Sequence, residues 1–405
     1  MNKVRILNTA VVVSALGYFV DIFDLVLFSI ARVPSLKAMG VPDDQLLPVG
    51  MQLLNMQMGG MLVGGVIWGI MGDKLGRVSV LFGSILLYSI ANIANAFVSS
   101  TETYGILRLI AGIGLAGELG AAITLVSEVM PKETRGYGTA IVAGFGVSGA
   151  VFAALVVNNF SWSTAFIVGG VLGLMLLVLR FKMFESGMFS AVKATTVSRG
   201  NFISLFTNRQ RFAKYARCIL IGVPLWFVVG ILVTFSPELC KLLGAEGPVS
   251  AASGIMYTYG GLVIGDLGSG LISQWLQSRK KVVAIALATT AALVVFFLSS
   301  TGGSPAFYYG LCFLLGCACG YWAIFVTIAA EQFGTNIRAT VATTVPNFVR
   351  GSVVLLSFAV ALAKEHVGMI HAVMGVGLVV IAIALLALWH LPESFHRDLD
   401  FIEPI

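Results

Sequence analysis

The chain has 405 residues, of which 58% are hydrophobic and only 11% are charged, and its formal net charge is +6. A soluble domain carries about 25% charged residues, so this composition excludes an ordinary soluble enzyme or binding domain. The positive excess does not indicate nucleic-acid binding, because the basic residues are spread over the segments that separate long apolar stretches.

Twelve apolar segments follow one another along the chain. A helix that crosses a membrane needs roughly 20 predominantly apolar residues. The segments lie at about 10–32, 48–72, 78–98, 103–130, 136–160, 164–182, 216–240, 249–276, 281–300, 305–330, 338–363 and 368–391. They predict an all-α membrane protein with twelve transmembrane helices.

The basic residues are distributed unequally between the two sets of connecting segments. With the N-terminus inside the cell, 19 of the 25 Lys and Arg residues, Arg180 among them, lie in loops or tails on the cytoplasmic side, and four, Arg32 among them, lie on the opposite side. Lysine and arginine accumulate in cytoplasmic loops of membrane proteins. We therefore predict that both termini are cytoplasmic. The remaining two, Arg108 and Arg350, lie inside predicted helices.

The first apolar segment contains two carboxylates, Asp21 and Asp24. An ionisable side chain in the middle of a membrane is costly and is usually functional. Residues three apart lie about 60° apart around a helix, so both side chains can face one cavity. We predict that this segment couples transport to protons, with Asp24 as the first candidate for the carboxylate that takes up the proton and Asp21 as the second.

The loop after the second segment, residues 69–77, combines glycines with charged residues. Gly69 and Gly72 permit a tight helix end, and Asp73 can accept bonds from a neighbouring helix N-terminus or pair with an arginine. Gly76 and Arg77 complete the pattern of this loop. We predict a conformational latch here. The alternative is that the basic residues only set the topology. The matching stretch of the second half, 274–281, has no aspartate, so a weaker latch is expected there.

The chain repeats itself at half its length. Glu128 is followed by Arg135 after seven residues, and Glu331 is followed by Arg338 at the same spacing, 203 residues later. Parallel half-length repeats are a signature of secondary transporters. The predicted organisation is a six-helix bundle at 1–182, a basic cytoplasmic loop at 183–215, a second bundle at 216–392 and a tail at 393–405. We assign both Glu–Arg pairs to the latch.

The second half adds its own polar residues within apolar segments. Arg350 offers five fixed donors that suit a carboxylate, and Asn347 lies one helical turn away. Asp266 has three open interpretations: a second proton site, the partner of Arg350, or a cation site. Glu118 is the other acid that could pair with Arg350, in which case the arginine would not touch substrate. The candidate cavity-lining aromatic residues, otherwise simply packed in lipid, are Trp226, Tyr321 and Trp322.

These features together resemble the major facilitator superfamily. The resemblance rests on the Asp-x-x-Gly-Arg loop at 73–77, the twelve segments and the duplicated Glu–Arg motifs. It implies two pseudo-symmetric six-helix bundles around a central cavity. The first segment resembles that of the metabolite:proton and aromatic acid:proton symporter branches, although it lacks the tryptophan usual in the former. The fourth segment adds to the resemblance to the metabolite:proton branch, because residues 108–118 begin with an arginine, continue with glycines and end in Gly-Glu.

The resemblance also suggests roles for three charged residues. Sugar porters carry an aspartate and an arginine that match Asp24 and Arg108, which implies a proton-coupling pair. The alternative is that Arg108 only extends to the outer interface. The eleventh segment resembles that of organic anion transporters, which carry an arginine at the position of Arg350. Glu118 is grouped with the proton-coupling residues.

The functional prediction is proton-coupled symport of a small organic anion, carboxylate or zwitterionic metabolite. Alternatives are a sugar or drug/proton transporter and a non-transporting membrane sensor. The sequence has no hydrolase elbow, phosphate loop or metal-ligand cluster, so no enzyme, metal or cofactor is expected. The predicted setting is the bacterial inner membrane, as a monomer in the lipid bilayer that binds no nucleic acid.

Overall fold

The computed structural model describes residues 9–129, 135–180, 201–334, 337–395 and 403. Helices make up almost all of this part. Their bounds are α1 Thr9–Ala38, α2 Leu46–Leu75, α3 Arg77–Asn95, α4 Thr101–Leu115, α5 Glu118–Val129, α6 Arg135–Asn159, α7 Trp162–Arg180, α8 Ser204–Thr207, α9 Arg209–Leu220, α10 Val223–Phe227, a π-helix π1 Val228–Val233, α11 Ser236–Leu242, α12 Ala251–Leu276, α13 Arg279–Ser299, α14 Pro305–Cys319, α15 Trp322–Glu331, α16 Arg338–Val367 and α17 Met369–Trp389.

Ten helical stretches of the described chain are long and apolar enough to cross a membrane, and a shorter apolar one runs over Gly144–Asn159. Every predicted segment contains helix. The segment predicted at 249–276 is helical as α12 but is not among the ten. Helix α9 begins at Arg209, within the stretch predicted as the central loop.

Two membrane segments are broken at matching places. Helix α4 ends at Leu115 and α5 begins at Glu118, while α14 ends at Cys319 and α15 begins at Trp322. Both breaks contain a glycine, Gly117 and Gly320. The two breaks are 204 residues apart, in agreement with the half-length repeat of the sequence. Each break leaves backbone groups in the interior without a partner within the helix.

The seventh segment is also interrupted. It runs from α9 through α10 and π1 to α11, with Pro224 in the first turn of α10. Within this segment the hydroxyl of Thr234 donates to the carbonyl of Val229 at 2.7 Å. π-Helical turns often mark functional positions, and this one lies between Trp226 and Glu238.

Glycines bring backbones together in corresponding helix pairs of the two halves. Helix α2 packs on α4, and α12 packs on α14. A side chain added at Gly112 would collide with the backbone of Gln57, and one added at Gly316 would collide with the backbone of Thr258. Small residues permit such close packing in lipid, where dispersion contacts rather than the hydrophobic effect hold helices together.

The N-terminal half (9–180) and the C-terminal half (201–395) touch at both ends of the bundle. At the end bearing the loop 39–45, Arg32 binds Glu238, and Ser357 donates to Asn55 at 2.8 Å. At the opposite end the hydroxyl of Thr340 donates to the carboxylate of Asp73. The residues between these contacts are therefore enclosed.

Candidate functional site

The centre of the enclosed region contains a charge pair between the two halves. Nη2 of Arg350, on α16, lies 3.7 Å from Oδ2 of Asp21, on α1. The arginine side chain is 1% exposed and the aspartate is fully buried. Since 3.7 Å is longer than a hydrogen bond, the two charges attract without being locked together.

Aromatic rings surround this pair. The guanidinium carbon of Arg350 lies 5.9 Å from the ring centre of Trp226 and 5.7 Å from that of Trp322. These distances fit cation–π contacts. Buried Tyr18 and Tyr259 lie within electrostatic range of Arg350. We call Tyr18, Asp21, Trp226, Tyr259, Trp322 and Arg350 the central cluster.

The central cluster contains buried polar atoms without hydrogen-bond partners among the described residues. They are Nε of Arg350, the indole nitrogens of Trp226 and Trp322, and both carboxylate oxygens of Asp21. Buried polar groups are nearly always satisfied in native proteins, and each exception calls for an explanation. The unpartnered atoms of the central cluster are thus three donors and two acceptor oxygens.

Asn347 connects the central cluster to the contact between the halves. Its Oδ1 lies 3.5 Å from Nη1 of Arg350, and its amide nitrogen donates to the carbonyl oxygens of Ala116 and Thr343 at 2.8 and 2.9 Å. Ala116 lies in the break between α4 and α5. Asn347 therefore lies beside Arg350, and its amide group is already engaged across the halves.

Asp24 and Arg108 are both fully buried in the N-terminal half, but they form no ion pair within 4 Å in the described structure. Arg108 is fully buried and donates to Asn92 at 2.7 Å and to Asn95 at 3.1 Å. Its guanidinium also lies 4.7 Å from the ring centre of Phe166. The alternative that Arg108 extends to the interface is wrong.

Glu118 is engaged by Arg180, one of the basic residues predicted to lie on the cytoplasmic side. Arg180, at the end of α7, donates from Nη1 to Oε2 of Glu118 at 2.9 Å and from Nη2 to Oε1. Both side chains are fully buried. The proposed pairing of Glu118 with Arg350 is therefore wrong, and Glu118 instead joins α5 to α7 within one half.

Asp266 likewise does not pair with Arg350. Its Oδ1 accepts a hydrogen bond from the backbone nitrogen of Ala323 at 3.2 Å, in the first turn of α15. An acidic group stabilises a helix N-terminus, and here it satisfies a donor that the break before α15 leaves free. Tyr321, in the same break, donates to the carbonyl of Ile221 at 3.1 Å, which joins segments ten and seven.

Several of the residues predicted to form a latch lie at the end of the bundle opposite the loop 39–45. Asp73 binds Thr340 of the other half, and Gly69 lies against Thr344. Gly76 ends α2 at a φ of 108°, a conformation that favours glycine. Asp73 thus contacts the first turn of α16 through a threonine hydroxyl.

The second Glu–Arg pair is divided between different partners. Glu331 binds Arg279 at 2.7 Å, and Nε of Arg338 donates to the carbonyls of Ala330 and Phe333 at 3.2 Å. The segment 274–281, which lacks an aspartate, therefore supplies a cation instead. The side chains of the other latch residues, Arg77, Glu128 and Arg135, lie outside the described part of the structure.

Sequence reasoning missed three features of the site. Arg32 was counted as a loop residue, yet it is fully buried and binds both oxygens of Glu238 at 2.7 and 3.0 Å. Arg180 was missed for the same reason, since both lie near predicted helix ends. Tyr18 and Tyr259 carried no signal that distinguished them from other aromatic residues of lipid-embedded helices.

Comparison with known proteins identifies the family. The model of the Major Facilitator Superfamily matches residues 14–358. The "Putative niacin/nicotinamide transporter NiaP" of Bacillus subtilis (strain 168) is 27% identical over 299 residues, which cover 69% of this chain and 70% of the relative. The "4-hydroxybenzoate transporter PcaK" of Pseudomonas putida is 25% identical over 319 residues, covering 69% and 70%.

Solved structures show the same fold. The proton:xylose symporter XylE superposes with a TM-score of 0.72 at 14% identity, covering 96% of this chain and 97% of that one. An inward-open structure of the same transporter from E. coli gives 0.71 at 16% identity. At such low identity the likeness concerns the fold alone.

Proposed function

The chain belongs to the major facilitator superfamily, and on this premise we propose that it is a proton-coupled symporter of a small organic anion. Its family and its transporter relatives make it a transport protein and not an enzyme. The ten apolar helices in the described part of the chain and its bacterial relatives make it an integral multi-pass protein, in keeping with the bacterial inner membrane.

The membrane arrangement is part of the proposal. We assign twelve spans in two six-helix halves, with both termini in the cytoplasm and the protein acting as a monomer. The excess of Lys and Arg in alternate loops supports this orientation. The loop 39–45 and Glu238 then face outward, and Asp73 faces the cytoplasm.

One observation carries the proposed function: the loose charge pair of Asp21 and Arg350, buried between the two halves. An unpaired charge in the membrane is costly, so Arg350 requires an anion in every state. A substrate carboxylate that binds the free Nε of Arg350 would take the place of Asp21. This favours organic anions as substrates.

The same exchange supplies a proton-coupling step. Once displaced from Arg350, Asp21 would be a buried carboxylate without a counter-ion, a state that proton uptake relieves. Substrate binding and protonation then favour each other. Asp21 fits this role better than Asp24, which lies in a separate group with Arg108 and Asn92 and does not approach Arg350 within 4 Å in the described structure.

Alternating access follows from the contacts at the two ends of the bundle. Arg32–Glu238 joins the halves on the proposed outer side, and Asp73–Thr340 joins them on the proposed inner side. Opening either side requires one of these contacts to break while the other holds. The names of the niacin and 4-hydroxybenzoate relatives support carboxylates as the substrate class.

The test is uptake by purified protein in proteoliposomes, with and without an inward proton gradient. A first thermal-shift screen of organic acids, zwitterions and sugars selects the substrate. Wild type should accumulate an organic acid only with the gradient. Asp21→Asn should lose accumulation but keep counterflow exchange, because asparagine resembles the protonated acid.

Arg350 provides the matching test of anion recognition. Arg350→Lys keeps the charge but loses the planar fork, so binding should weaken by about 1–3 kcal/mol, and Arg350→Ala should bind more weakly still. If Arg350→Ala binds the selected ligand as tightly as wild type, or if that ligand carries no anionic group, a sugar or cation transporter becomes the better interpretation. Gradient-driven accumulation by Asp21→Asn would transfer the proton-coupling role to Asp24.

A further inference from the structure

The two indole N–H groups of the central cluster have no role in the exchange described above. Nε1 of Trp226 and Nε1 of Trp322 are buried and have no acceptor among the described residues. The two residues are 4% and 6% exposed. By contrast, the indole of Trp68, another tryptophan of the bundle, donates to the carbonyl of Ile113 at 2.7 Å. Burying an indole N–H without an acceptor is costly.

The geometry separates these donors from the guanidinium. Arg350 lies over the ring faces of both tryptophans, whereas an indole N–H projects outward in the plane of its ring. The guanidinium faces the rings and the indole N–H groups lie at the ring edges, so they form separate sets of donors. These groups require an acceptor placed elsewhere on the bound molecule.

We infer that the substrate carries, besides its carboxylate, a second hydrogen-bond acceptor that Trp226 and Trp322 recognise. A ring nitrogen or a hydroxyl on a small planar acid has the required chemistry. This inference rests on the proposed function, because it takes Arg350 as the carboxylate site. It makes the two tryptophans specificity-determining residues and not merely apolar walls.

The experiment measures equilibrium binding to the purified full-length protein by calorimetry. Benzoate and nicotinate form a matched pair, since they differ only in one ring atom, CH in the former and an acceptor nitrogen in the latter. 4-Hydroxybenzoate adds the acceptor at another position. At least one acceptor-bearing acid should bind wild type about 5-fold or more tightly than benzoate, as expected for one net hydrogen bond.

Tryptophan-to-phenylalanine variants remove the donor and keep an aromatic ring. Trp226→Phe or Trp322→Phe should abolish the preference over benzoate, so that the ratio of the two affinities falls to about one whatever the change in benzoate affinity itself. Trp162→Phe is the control, because Trp162 lies at the start of α7 and packs on Phe166. Thermal melting of each variant verifies that it is folded.

The outcomes separate this inference from the proposed function. If benzoate and the acceptor-bearing acids weaken equally in the phenylalanine variants, the indoles only pack or hold the carboxylate, and the inference is wrong while the anion site stands. If both variants keep the wild-type preference, the inference is also wrong. If no acid binds wild type, or Arg350→Ala binds all of them normally, the proposed function itself fails.

Discussion

Replacing Glu238 by glutamine tests whether the ion pair with Arg32 holds the proposed outer side closed. Arg32 is fully buried and makes four donor contacts: two to Glu238 at 2.7 and 3.0 Å, one to the carbonyl of Thr234 at 3.2 Å and one to that of Leu46 at 3.3 Å. Its guanidinium also lies 4.5 Å from the ring centre of Phe235. Glu238→Gln keeps the shape but leaves the buried cation without its counter-charge.

The expected effect is a shift of the conformational equilibrium. Removing one partner of a fully buried pair costs about 3–5 kcal/mol. Glu238 is 20% exposed and glutamine keeps one acceptor, so we expect about 2 kcal/mol, which corresponds to roughly a 30-fold change in an equilibrium constant. Because the pair joins the two halves, the loss should favour the state that is open on this side.

Pulsed electron paramagnetic resonance, which measures the distance between spin labels on opposite halves, detects this shift. The exposed residues Asp44 and Lys241 provide label positions, in a background with the five native cysteines replaced. Glu238→Gln should increase the population at longer distances. The control is Asp43→Asn, which breaks an ion pair with Lys37 within one half. The side chains of Lys37 and Asp43 are 54% and 73% exposed, so the loss of this pair should change nothing measurable. An unchanged distance distribution in Glu238→Gln would refute the latch.

Three further changes test other parts of the structure. Glu118→Gln should lower the stability of the detergent-solubilised protein, measured by thermal melting, by about 3–5 kcal/mol, because it leaves Arg180 as an unpaired buried charge. A double variant that removes both charges should recover much of this loss. Gly149→Ala should lower the melting temperature, since its new methyl group would meet the backbone of Phe19, whereas Gly144→Ala on the same helix meets nothing within 4 Å and should be neutral. Burial opposes ionisation of Glu393, but hydrogen bonds from Ser278 and from backbone amides lower its pKa below the usual value. The ionised side chain therefore stabilises the folded protein above about pH 4.5, and this contribution is lost as the pH falls below that value. Glu393→Gln should flatten this part of a curve of stability against pH.

The fold was largely accessible from the sequence because a membrane leaves few choices. Apolar segments of the right length must be helices in lipid, and the seven-residue Glu–Arg spacing disclosed the repeat. The helix breaks at Gly117 and Gly320 were not predicted. Glycine is common in these helices, and what distinguishes a break from a packing contact is the partner, such as Asp266 at the start of α15.

The candidate site was accessible only in part. Composition within spans identified Asp21 and Arg350 as functional candidates, but it could not tell which acid faces the arginine. That choice depends on how α1 and α16 are rotated about their own axes, and the packing of distant helices sets this rotation. Arg180 was misplaced for a related reason: a side chain at a helix end can point either to solvent or back into the bundle, and here it reaches Glu118.

The pairing of Arg32 with Glu238 has a consequence for how the protein is made. The partners are 206 residues apart, so at about 5–20 residues per second a ribosome needs roughly 10–40 seconds between them. During that time the first helix lies in the membrane with a permanent cation and no counter-charge. Its strongly apolar sequence favours insertion, while the long arginine side chain reaches the headgroups. Completion of the seventh segment is then also the step that brings Arg32 into the protein interior.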